Sequence, residues 1–282
     1  MATDKDAQYD NSAKRLIAHK IILARILVKT VEEFKGMDPI EVAALIEGLP
    51  YISAVPVEPG LTNAVHFQNG QRLVGFNTEN QELNEGLVRF DIVFYVRMKD
   101  GLSQIIINVE AQKDEPSDYE ILNRAVFYVS RLVSSQKERD FENSSYDDIK
   151  CVYSIWICMN MEENTMSHIH LTKEDLIGSY EWKGNLDLLN IIMIGLAKEL
   201  PEHDETYELH RLLGALLSRE LTVDEKLDII GKEYDIPLEE NFRKDTSTMC
   251  NLSQGVKEEG IAIGRREGLE EGRREGHAEL IT

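Results

Sequence analysis

The chain has 282 residues, 42% of them hydrophobic and 29% charged, which suits one large soluble domain or two small ones with a sizeable core. Its net charge of −20, from 51 acidic against 31 basic residues, argues against non-specific nucleic-acid binding but leaves a local basic site open. No apolar run approaches the roughly 18 residues that span a bilayer, and the N-terminus lacks a signal-peptide layout, so the sequence predicts a cytoplasmic protein with no membrane partner.

Residues 12–35 repeat apolar side chains at helical spacing (Leu16, Leu23, Ile26, Leu27, Val31, Phe34), which predicts one long amphipathic helix. Its window 11–31 carries Lys14, Arg15, Lys20, Arg25 and Lys29 and no acid. That face is either solvated or in contact with DNA. Asp38-Pro39 starts a short helix over 40–47, with proline in its first turn. Residues 50–86 contain prolines and turn pairs such as Asn69-Gly70, predicting irregular chain with one short strand at 72–76. Two strands follow at 87–98 and 103–112. A helix is expected over 117–137, capped by Ser117, with a buried stripe of Leu122, Ala125, Val126, Val129, Leu132 and Val133. The apolar runs 150–159 and 186–196 read as strands, the first buried on both faces. Helices are expected at 205–219 and 222–234, where Thr222-Val-Asp-Glu225 forms a capping box. Another helix from about 237 leads to a tail with glycines at 260, 264, 268, 272 and 276. Glycine costs about 1 kcal/mol per residue in a helix, so the tail is either frayed or a small-residue groove for a partner helix, which would give a homo-oligomer.

The strongest local signal is Asp100-Gly101, set between two alternating apolar runs. A two-residue turn there pairs residues whose numbers sum to 201. Phe90, Ile92, Phe94 and Val96 then share an apolar face with Ala111, Val109, Ile107 and Ile105. The opposite face sets Arg89 against Gln112, Asp91 against Glu110, and Val93 against Asn108. Directly opposed residues have Cβ atoms about 4.5–5.5 Å apart, and like charges there repel. The pair therefore asks for a compensating cation of the Mg²⁺ type, which favours oxygen ligands. Otherwise the two acids are unrelated and Arg89 neutralises them.

Asp91 followed by Glu110-Ala-Gln112 on the next strand resembles the D…(D/E)xK signature of the PD-(D/E)xK nucleases. Arg89-Phe-Asp-Ile, Ile107-Asn-Val-Glu-Ala-Gln-Lys113, Asn77-Thr-Glu, Asn84-Glu-Gly86, Tyr146-Asp-Asp-Ile-Lys150, Val152-Tyr-Ser-Ile-Trp-Ile-Cys158, Cys250-Asn-Leu-Ser-Gln-Gly255 and the glycine-punctuated tail resemble the bacterial transposase-like, recombination-promoting branch. The resemblance covers nearly the whole chain. It implies an α/β, restriction-endonuclease-like core, a mixed central sheet flanked by helices. The domains expected are N-terminal helices (1–50), the core (51–200), a helical C-terminal region (201–250) and the repeat tail (251–282). It also implies Mg²⁺ or Mn²⁺ on Asp91, Glu110 and the Ala111 carbonyl, with Gln112 orienting water. An acid from the N-terminal region, Glu32 or Glu33, often joins such sites. The usual lysine position holds Gln112; strand parity turns Lys113 to the apolar face.

Arg124, Tyr128 and Arg131 recur at spacings of four and three on one helix face. That face either meets phosphate or is a solvated rim; Arg124 and Arg131, with Arg89 and Lys113, are the candidate nucleic-acid contacts. His168-Ile-His170 is either a metal pair or a surface strand. Cys151, Cys158 and Cys250 read as free thiols. No nucleotide-binding glycine loop is present. The expected function is a metal-dependent DNA endonuclease of transposition or recombination. The alternatives are an RNA nuclease or a non-catalytic interaction protein on the same scaffold.

Overall fold

The structure, a computed structural model, describes residues 4–55, 65–68, 71–74, 90–97, 104–112, 119–137, 141 and 143–252, with the backbone alone described at 4–7, 10, 51, 53–55, 65–68, 71–74, 90–91 and 104–112. Arg89, Lys113, Ser117, the Asp100-Gly101 turn and the glycine-repeat tail lie outside the described residues. The chain divides into two compact units, one of residues 14–214 and one joining 1–13 to 215–282.

The larger unit is mixed α/β. Its strands are β1 (Tyr51–Val55), β2 (Val65–Gln68), β3 (Gln71–Val74), β4 (Phe90–Arg97), β5 (Gln104–Gln112), β6 (Val152–Met161), β7 (Thr165–His170) and β8 (Leu189–Ala197). Six of them form one sheet in the order β1-β4-β5-β6-β8-β7, and β2 and β3 make a separate hairpin. Strands β5, β6 and β8 run parallel, whereas β1 and β4 on one side and β7 on the other join antiparallel. The apolar run of β6 is buried from Val152 to Cys158, as a central strand covered on both faces requires.

Helices follow the sequence with informative differences. The basic window is not one helix but two, α1 (Asp4–Ile17) and α2 (Lys20–Thr30), broken at His19 in an extended conformation. Leu16, Ile17 and Ala18 are buried in succession, as are Ile22, Leu23 and Ala24. A straight helix with a single apolar stripe cannot bury three neighbours in a row. Arg15 is exposed, whereas Lys20, Arg25 and Lys29 are engaged within the fold. Lys20 donates to the Ile46 carbonyl at 2.7 Å, and Arg25 and Lys29 converge on Glu208 at 3.7 and 2.7 Å. Helix α3 (Pro39–Leu45) starts as expected, with the Asp38 carboxylate accepting from the Ile40 amide at 2.8 Å.

Helix α4 (Ile121–Ser134) connects β5 to the parallel β6 and starts from Glu120 without a side-chain cap. It buries Ala125, Tyr128, Val129 and Leu132, whereas Leu122 and Val126, expected inside, are exposed. Leu122 and Val126 lie toward one edge of the apolar stripe, and the sheet beneath covers its centre. Gln136 then clamps the end of α4 to the start of β6, donating to the Lys150 carbonyl and accepting from its amide, at 3.0 and 2.8 Å. Helix α5 (Glu208–Leu217) follows β8.

In the smaller unit, α6 (Val223–Asp228) begins in the expected capping box and continues as one wide helical turn over Ile229–Glu233. Residues 240–252 are helical, and we term them α7.

Candidate functional site

The β4–β5 register agrees with the two-residue turn. Arg97 lies opposite Gln104, and each pair inward to Ile92 opposite Val109 keeps the sum of 201. Asp91 precedes Ile92 in β4 and Glu110 follows Val109 in β5, so the same register continued by one step would set the two positions opposite each other. Strand alternation puts positions 91, 110 and 112 on one face. Parallel pairing extends that face into β6, where Glu110 pairs with Trp156 and Gln112 with Cys158.

That face is largely covered. Val93 and Tyr95 are buried on it, in one core cluster with Val152, Trp156, Cys158 and Ile191 of the sheet and Ala125, Tyr128, Val129 and Leu132 of α4. The face across the sheet is buried as well, at Ile92, Phe94 and Val96. The candidate positions therefore sit at the C-terminal end of β5, at the rim of a helix-covered face. In open α/β sheets, ligand sites collect at the carboxyl ends of the strands.

The first turns of α4 bring a cation to this rim. The Arg124 guanidinium lies 4.8 Å from the Tyr128 ring centre, 5.6 Å from that of Trp156 and 5.8 Å from that of Tyr119. It donates to the Tyr119 and Tyr128 hydroxyls at 2.9 and 2.7 Å. Tyr128 packs tilted on Trp156 with 5.5 Å between ring centres, and the Trp156 indole donates to the Ser154 hydroxyl at 3.0 Å. Arg124 is thus held above the register neighbour of Glu110 by three rings and two hydroxyls. The aromatic faces attract it and limit its motion.

Other expected members of the site stand elsewhere. Arg131 lies seven residues past Arg124, roughly 10 Å further along the helix axis, toward the start of β6. Glu33 accepts from the Tyr153 hydroxyl at 3.0 Å. Tyr153 pairs with Ile107, whose parity is opposite to that of Glu110, so this acid serves the other face of the sheet. Burial first, and the Glu33 charge second, push the Tyr153 hydroxyl far above its usual pKa. The same surroundings, burial foremost, push the Cys151 thiol up to about 11, which keeps it protonated and unreactive. Glu32 is exposed and pairs with Lys35 at 3.4 Å.

His168 and His170 lie on the exposed edge strand β7, with His168 hydrogen-bonded to the Asn190 amide oxygen at 2.9 Å. Among the described residues, no three or more His, Cys, Asp or Glu side chains gather to hold a metal ion. Tyr119 and Trp156 were missed from the sequence. The spacing of Arg124 and Tyr128 was legible, but that Trp156 lies beneath them depends on the parallel pairing of β5 with β6.

No family model, no curated protein and no solved structure matches the chain. What is established is a mixed α/β architecture with a helix-flanked mixed sheet. Among the described residues, no helix is long and apolar enough to cross a membrane.

Proposed function

We propose that the chain is a metal-dependent DNA endonuclease on a restriction-endonuclease-like core. The reading is carried by the β4–β5 register, which runs unbroken to Ile92 and Val109 and leads the next step to Asp91 and Glu110. Two facing carboxylate positions with the Ala111 carbonyl beside them form a hard-oxygen donor set suited to Mg²⁺ or Mn²⁺. The ion they would hold supplies Lewis acidity toward a phosphodiester. Gln112, on the face of both acids, hydrogen-bonds and orients the attacking water but adds no positive charge. That charge comes from Arg124, whose planar guanidinium suits a phosphate oxygen pair. The strand–strand–helix–strand order of β4, β5, α4 and β6 is the order such a core uses.

The decisive experiment is plasmid nicking with Mg²⁺ or Mn²⁺, with single-stranded DNA and RNA as parallel substrates. Cleavage should fall at least about 100-fold in Asp91→Ala and Glu110→Ala. Absence of cleavage with either metal, or full cleavage by Asp91→Ala, would overturn the reading. One observation favours a non-catalytic interaction protein instead. The loop between β7 and β8 leaves Leu176 84%, Ile177 96% and Trp182 77% exposed, an apolar surface of the kind partners cover.

A further inference from the structure

Strand β7 ends the sheet, and no strand lies beyond it among the described residues. His168 and His170 are exposed on it, and alternation sends both side chains to one side. Their rings meet edge to face with 4.6 Å between centres. A chain of hydrogen bonds orients the first of them. The Asp187 carbonyl can only accept, and it takes an Asn190 side-chain N–H at 2.7 Å. The Asn190 oxygen therefore faces His168 Nε2, 2.9 Å away, so that nitrogen carries the proton and donates it. The neutral ring keeps its lone pair on Nδ1. Asn190 is buried, and the same Asp187 carbonyl also accepts from the Cys151 thiol at 2.7 Å, so the partner of His168 is itself held in place. Metal-binding histidines are characteristically anchored in this way through their second ring nitrogen.

We propose that His168 and His170 form a two-histidine site for a late first-row metal ion, with Cu²⁺ as the preferred occupant and water completing its shell. A metal roughly 2.0–2.1 Å from one nitrogen of each ring sets the centres of two cis imidazoles about 4.5–5 Å apart. The observed 4.6 Å asks for little ring movement. Imidazole suits copper, nickel and zinc, of which copper binds most tightly, whereas Mg²⁺ prefers oxygen ligands. His168 also borders a cleft of about 190 Å³ that contains Lys29 and Lys35. Those cations are already neutralised, Lys29 by Glu208 at 2.7 Å and Lys35 by Glu32 at 3.4 Å. The net charge of −20 draws metal cations to the surface as a whole. The site is separate from the proposed nuclease centre. His170 pairs with Asn190, Asn190 with Tyr153, and Tyr153 with Ile107, which places it across the sheet from position 110.

The test uses the full-length chain without an affinity tag, dialysed at mildly alkaline pH against Cu²⁺, Ni²⁺, Zn²⁺ or Mg²⁺ and analysed for bound metal. One Cu²⁺ per chain should bind, more tightly than Ni²⁺ or Zn²⁺, and a large excess of Mg²⁺ should not displace it. Its electron paramagnetic resonance spectrum should carry splitting from two imidazole nitrogens. His168→Gln and His170→Gln change exposed side chains, so the fold should stand while each weakens Cu²⁺ binding by at least about 10-fold. His203→Gln should leave the affinity unchanged. In the metal-free chain, nitrogen chemical shifts should show neutral His168 protonated at Nε2. Absence of bound Cu²⁺ would overturn the proposal, as would equal binding by the parent and both variants. Neutral His168 protonated at Nδ1 would overturn it as well.

Discussion

Beneath the second half of α4, Val93, Tyr95, Val152 and Ile191 close an apolar core with Val129 and Leu132. Beneath its first half, positions 110 and 112 of the same face are in register with Trp156 and Cys158, and the helix supplies Arg124 and Tyr128. Both regions use the same strands and the same alternation. They differ in position along the parallel strands: at the carboxyl ends, α4 begins and the face reaches its rim. One surface thus holds the fold together at its base and gathers polar chemistry at its edge. Trp156 belongs to both regions, since it lies in the core and underlies Arg124.

That double role gives the largest expected effect. Trp156→Ala should destabilise the protein by about 3–5 kcal/mol, read as a lower denaturation midpoint at unchanged slope. A loss below about 1 kcal/mol would show that the aromatic stack is peripheral to the core. Gln112 should show the converse pattern. Gln112→Ala is expected to lower metal-dependent nicking by roughly 10²-fold or more at an unchanged melting temperature, and Lys113→Ala should stay near the parent. The reverse result would place the working side chain on Lys113 and shift the strand register there.

Arg124→Lys tests whether the rim needs a planar cation. An ammonium cannot bridge the Tyr119 and Tyr128 hydroxyls while stacking on the rings, so about 1 kcal/mol of stability should be lost. Any nicking should also become more sensitive to salt. Unchanged stability and salt response would remove Arg124 from the site.

Outside the sheet, smaller effects are expected. Asp38→Ala should cost about 1 kcal/mol through the lost α3 cap, measured by thermal denaturation. At α6, hydrogen bonds from the Thr222 backbone first, and its hydroxyl second, hold the exposed Glu225 carboxyl below its usual range. A lowered folded pKa means that this contribution is present above the unfolded value and fades as pH falls through the folded one. The difference in melting temperature between the parent and Glu225→Ala should therefore shrink on acidification. A difference constant across that window would mean that the box contributes no charge-dependent stability.

Local chemistry carried much of the chain. The Asp100-Gly101 signal led to the register observed from Arg97 to Ile92, because a two-residue turn fixes every later pair. The Asp38 cap, the Thr222–Glu225 box and the buried β6 run were equally legible, since each depends on a few neighbouring residues. Asn69-Gly70 carried the same kind of signal, but its flanks, Val-His-Phe-Gln and Gln-Arg-Leu-Val, alternate too weakly to announce the β2–β3 hairpin that stands there.

What tertiary structure decided is which of several available faces each element buries. The sequence of α4 offers more apolar surface than one sheet can cover, and the sheet buries Tyr128 and leaves Leu122 and Val126 outside. The basic window reads as a helix face by itself, yet Glu208, nearly two hundred residues on, takes up Arg25 and Lys29. Glu33 meets Tyr153 on the far face, and Trp156 comes under Arg124 where α4 crosses β6, contacts that span distant parts of the chain. The sequence by itself determined turns, caps and strand parity, which arise from bonds between near neighbours. The packing of distant elements determined the partners of Arg124, Glu33 and Arg25, because charge and aromatic contacts act through space wherever the chain brings them together.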